Sequence, residues 1–60
     1  MMLDPEMAWS DWKRDAGLLL LENGYAREVV ALMDWESWRD FWRDGYSPRD
    51  AVVEELVAGL

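Results

Sequence analysis

The chain contains no cysteine and no histidine, and threonine and isoleucine are also missing from its 60 residues. Without cysteine there is no disulfide framework, so a body this small must be held by packing or by a second subunit. Without histidine no Ser-His-Asp arrangement can be built, and the soft metal ligands are missing. Ser10, Ser37 and Ser47 are the only hydroxyl nucleophiles besides Tyr25 and Tyr46. Asp40 and Asp44 before Gly45 lack the spacing of a calcium loop, and no glycine-rich phosphate cradle occurs. Paired carboxylates need an enclosing cleft to act as acid and base, and a chain of this length seldom forms one. The expectation is a protein that is not an enzyme, with no catalytic residue, metal or cofactor.

Long apolar stretches are missing too. The run from Ala16 to Leu21 falls far short of the roughly 20 residues that span a bilayer, and Met1-Met2-Leu3-Asp4 has no basic segment of the kind that opens a secretory signal. No β-branched alternation is present from which to make a sheet.

What the chain has is helix punctuation. Asp4-Pro5-Glu6 sets a carboxylate cap before a proline, and Asn23-Gly24 supplies a left-handed stop, which predicts a first helix over residues 5–22. Residues 26–33 form a short second helix. Asp34 caps a third over 35–44, closed by Gly45, and Ser47-Pro48-Arg49-Asp50 opens a fourth over 48–57. The expected fold is all-α, a single domain spanning residues 1–60 and built as a compact bundle of about four helices.

Helical projection assigns the faces. Trp9, Trp12, Ala16, Leu19 and Leu20 share one side of the first helix, and Trp35, Trp38, Phe41 and Trp42 share one side of the third. Val52, Val53, Leu56 and Val57 form the expected inner face of the fourth helix. The second is apolar over most of its circumference through Val29, Val30, Leu32 and Met33, which predicts a central element. Five tryptophans, two tyrosines and one phenylalanine give a Trp-rich core its material, each ring burying roughly 150 to 250 Å². Trp42, late in its helix and beside Asp44, is the candidate to remain outside as an interface anchor. Gly24-Tyr25 and Gly45-Tyr46 each follow a Trp-bearing helix and precede an Arg, an acid and a Val pair. The echo fits either two related helical hairpins or two helix stops whose rings pack back on the preceding turn.

Charge carries the functional reading. Thirteen acids against six bases give a net charge of −7, a field that repels nucleic acid and attracts basic partners. The six bases are scattered and form no stripe that would neutralise phosphates, so direct nucleic-acid binding is not expected. Some acids have local duties: Asp4 and Asp34 as caps, Glu6, Glu36 and Asp50 in first turns, and Asp11 with Arg14, Glu36 with Arg39 and Asp40 with Arg43 as pairs three apart. Asp15, Glu22, Glu28, Asp44, Glu54 and Glu55 have no obvious partner three or four residues away. Asp11, Asp15 and Glu22 on the first helix, and Glu36, Asp40 and Asp44 on the third, make two acidic rows. Like charges four apart destabilise a helix slightly, and their axial spacing of about 6 Å is of the order of that between backbone phosphates. The rows are either a solvated face that aids solubility or a contact surface for a Lys/Arg-lined groove.

In size, charge, lack of cysteine and helical layout, the whole chain resembles the small acidic anti-CRISPR proteins of phages, especially the DNA-mimicking inhibitors of type I complexes, including type I-C. The likeness rests on no motif. It implies an inhibitor, monomeric or homodimeric and at work in the bacterial cytoplasm, that occupies the basic, duplex-reading surface of a CRISPR surveillance complex and blocks recognition of target DNA. The six Lys and Arg residues depart from the strongest mimics by diluting the field. The alternative, from a different class, is a helical protein-interaction module, antitoxin-like or an adaptor, that binds through exposed apolar or Trp surface.

Overall fold

Two left-handed glycines divide the chain, and both breaks have the same construction. The computed structural model describes residues 7–59, and in it Gly24 has φ +94° and Gly45 φ +87°, a region that suits a residue without Cβ. At the first break the amide of Gly24 donates to the Leu21 carbonyl and that of Tyr25 to Leu20; at the second, Gly45 donates to Trp42 and Tyr46 to Phe41. This is the Schellman pattern, in which orphan carbonyls at a helix end are satisfied by the two residues that follow. The second break adds the usual apolar contact, with the Tyr46 ring 4.9 Å from that of Phe41.

Four helices result: α1 (Trp9–Glu22), α2 (Arg27–Ala31), α3 (Trp35–Arg43) and α4 (Pro48–Ala58). The described residues are all-α as expected, with no strand. In both hairpin turns the next helix begins three residues after the glycine, so the Gly-Tyr segments match in turn geometry. Their caps differ. The Ser47 hydroxyl accepts from the Asp50 amide at 3.1 Å, whereas Ala26 at the matching position has nothing to offer.

Several boundaries shift for identifiable reasons. The expected start at Asp4-Pro5-Glu6 lies outside the described residues, but helical geometry begins only at Trp9, after an extended Ala8. The Met7 carbonyl, which would accept an intrahelical bond, instead receives the Trp42 indole N–H at 2.8 Å. At its far end, α2 stops at Ala31. Asp34 stands before α3 as expected, yet its side chain makes no capping hydrogen bond. With φ −76° and ψ 78°, and the Trp35 amide donating to the Met33 carbonyl at 2.9 Å, it is the centre of an inverse γ-turn.

The core is Trp12, Ala16, Leu20, Trp38, Ala51 and Val52, with Trp9, Trp35, Phe41, Trp42 and Leu56 among the half-buried residues packed around it. Two of the five tryptophans, Trp12 and Trp38, are thus buried. Rings run in a chain from Trp9 to Trp12, Trp38, Phe41 and Tyr46, while Trp42 touches Trp9 and Trp35 touches Trp38. Indole N–H groups close the corners: Trp12 donates to the Tyr46 carbonyl at 2.8 Å and Trp35 to Val30 at 3.1 Å. The principal packing is α1 on α4, where Ala16 and Ala51, both fully buried, permit close approach.

Two face assignments require correction. The second helix is not central: α2 buries no residue, and Leu32 is 85% exposed beside it. A helix of five residues aims little more than one side chain inward, here Val30, whose methyl lies 3.3 Å from where a Cβ on Gly17 of α1 would stand. On α4, Val53 and Val57 point outward and the small Ala51 goes in, because contact with α1 rewards proximity over side-chain size.

Trp12 binds the two halves through both its area and its N–H. Trp12→Phe should lower the unfolding free energy by about 1–3 kcal/mol, since the Tyr46 carbonyl loses its donor, and Trp12→Ala by about 3–5 kcal/mol. Urea denaturation followed by circular dichroism checks the order.

Candidate binding surface

The described residues include no buried charged or polar side chain. Their side-chain hydrogen bonds end on backbone carbonyls or on the Ser47 hydroxyl, and none ends on a carboxylate. No described carboxylate is buried, and the acids enter only long ion pairs. Arg14 lies 3.7 Å from Asp11 and 3.8 Å from Asp15, Arg39 lies 3.5 Å from Glu36, and Arg43 lies 3.9 Å from Asp40. The three expected pairs are present. Asp15, expected to have no local partner, has Arg14 beside it. Pairs this exposed contribute roughly 0–1 kcal/mol each.

Helical geometry puts Glu36, Asp40 and Asp44 on the side of α3 away from its Trp stripe, and all three are exposed; the Asp40 side chain reaches 80% exposure. On α1, Asp11 and Glu22 are exposed and Asp15 is half-buried. The two rows belong to different edges of the molecule. The α1 row borders α4, because Asp15 lines a groove with Ser47, Pro48 and Arg49. On the other flank of α1, Lys13 reaches over the Trp9 ring, at 5.9 Å from its centroid, and Arg39 of α3 lies at 5.5 Å. Those are cation–π distances, and they gather positive charge between α1 and α3. The Arg39 Nε is buried there with no hydrogen-bond partner among the described residues; the aromatic face offsets part of that desolvation.

The rows also differ in strength. Three acids of the α3 row face two paired arginines, Arg39 and Arg43, and those of the α1 row face one, Arg14. The α1 row is the less tied up in ion pairs, and the arginine that lines the groove beside its Asp15, Arg49, belongs to α4. Trp42 is half-buried, with its ring 5.7 Å from Trp9 and its N–H bonded to Met7.

Sequence reasoning overlooked Leu18. It is 53% exposed within the α1 acidic row, and the signal was available in its spacing, three residues after Asp15 and four before Glu22. No group of three or more acids among the described residues is arranged to hold a metal ion, and no described helix is long and apolar enough to cross a membrane. Comparison with protein-family models, with curated proteins and with solved structures finds no match.

Because the fold makes no hydrogen bond to these carboxylates, replacing all six row acids by Asn or Gln should leave the unfolding free energy within about 1 kcal/mol of the parent or raise it, as like-charge repulsion is relieved. Thermal melts of the two proteins at low ionic strength check this; a loss of several kcal/mol would mean that the rows are structural.

Proposed function

We propose that this protein is a non-enzymatic acidic inhibitor whose carboxylates stand in for nucleic-acid phosphates on the Lys/Arg-lined site of a partner. The observation that carries the reading is that, among the described residues, no hydrogen bond of the fold ends on a carboxylate, while the chain bears a charge of −7. Folding does not account for retaining like charges four apart on two helices. Docking on a basic groove would, since each carboxylate that replaces a phosphate releases a bound ion and makes association strongly salt-dependent. The α1 row, Asp11, Asp15 and Glu22, is the main contact in this reading. Glu36, Asp40 and Asp44 form a secondary surface weakened by Arg39 and Arg43. The partner class implied by the resemblance to small acidic anti-CRISPR proteins is a type I surveillance complex, with the inhibitor on its duplex-reading surface in the bacterial cytoplasm.

A second reading is favoured by the apolar surface at the end of α2 and on α4. Leu32 is 85% exposed and Val57 59% exposed, as in a helical interaction module that binds by burial. Raising salt separates the two, because apolar contact responds little to ionic strength.

The test is displacement of a target duplex from a type I surveillance complex, followed by gel mobility across a salt series. The parent protein should displace DNA at low salt and lose potency steeply as salt rises. Asp11→Lys with Asp15→Lys should weaken displacement more than tenfold, and Asp40→Lys by less. Full potency in the doubly reversed variant would refute the acidic contact, and failure of the parent to displace DNA would refute this partner class.

A further inference from the structure

Asp11, Asp15, Leu18 and Glu22 follow one another at spacings of four, three and four, so they form a single stripe along α1. An exposed leucine thus stands inside the stronger acidic row. Beside it, the first turn of α4 closes a groove of about 350 Å³ lined by Asp15, Leu18, Leu19, Ser47, Pro48 and Arg49. Leu18, Leu19 and the Pro48 ring are its apolar components. Arg49, which has no ion pair among the described residues, lies with Asp15 in the lining. The groove is open to solvent, with room for one large side chain laid against it.

We propose that this groove is the apolar centre of the acidic contact surface and that its occupant is a basic segment of a protein partner. That segment places one large apolar side chain against Leu18, Leu19 and Pro48, and sets Lys or Arg side chains on Asp11, Asp15 and Glu22. The inference rests on the acidic-contact reading above and deepens it. Charge complementarity selects the occupant. A second copy would bring two chains of charge −7 together, and a nucleic acid would be repelled by the same field. Exposed ion pairs alone contribute little, whereas an apolar centre with a charged rim is where interfaces concentrate their affinity. Arg49 then takes backbone carbonyl oxygens of the same segment, fixing its direction across the row.

Two short synthetic peptides test this, one with lysines on both sides of a central phenylalanine and one with glycine at the centre. Each is titrated into the protein by calorimetry and by NMR of the leucine methyl groups. The phenylalanine peptide should bind about tenfold more tightly and shift the Leu18 and Leu19 methyl signals. Leu18→Ser should abolish the difference and leave the glycine peptide unaffected; Leu18 is exposed, so the variant should keep the parent's circular dichroism. Equal binding of both peptides, weakening together with salt, would overturn the groove and leave the acidic contact standing. Binding of the phenylalanine peptide that ignores salt and survives Asp15→Lys would overturn the acidic contact instead. Absence of binding by either peptide would overturn both.

Discussion

The hydrogen bond from the Trp12 indole to the Tyr46 carbonyl, 2.8 Å long and spanning 34 residues of chain, is the constraint around which the molecule is arranged. It ties the first turn of α1 to the turn between α3 and α4. Once that turn is fixed, Ala51 and Val52 fall against Ala16 and Leu20 and the core closes. The Trp42 bond to Met7 and the Trp35 bond to Val30 repeat the device at two further corners. Indoles suit this role because they combine a large apolar face with a single donor that must find a partner when covered. A chain with no disulfide and limited buried area gains long-range connection and core volume from the same residue type.

One consequence is that the described carboxylates are released from structural duty. Aromatic rings, small alanines, the Ser47 hydroxyl and the backbone do the work of folding, and carboxylates are left at the surface. They are not spread evenly. The cations Lys13 and Arg39 gather over Trp9 between α1 and α3, which leaves the opposite flank of α1 to Asp11, Asp15 and Glu22. A small fold thereby separates a positively biased seam from a negative edge, and the negative edge is the one that adjoins the Leu18 groove.

Much of the fold was legible because helix ends are written in local chemistry. Asn23-Gly24, Gly45 and Ser47-Pro48 declare their roles through φ sign, ring closure and a hydroxyl acceptor, independent of what packs around them. The faces of α1 and α3 were legible because bulky rings at helical spacing have few other places to go. What could not be read locally was set by competition for the centre. In and just after α2, the apolar Val29 and Leu32 lost that competition to the rings of α1 and α3. In α4, Ala51 displaced Val53 because approach to α1 mattered more than hydrophobicity. The start of α1 likewise depended on a donor 35 residues away, Trp42. Of the candidate surface, the acids and their exposure were readable from the helical wheel. The partition into two edges, and the groove within one of them, exist only once α4 lies across α1.

On this reading the fold stands without help from its charges. The most direct test is the unfolding free energy of the unmodified protein measured at increasing sodium chloride, from about 10 mM to about 0.5 M, where the screening length falls from roughly 30 Å to a few ångströms. If the core and indole bonds hold the fold, stability should rise with salt as self-repulsion among surplus carboxylates is screened. A clear fall in stability over the same range would show that ion pairs hold the structure together, and would contradict the claim.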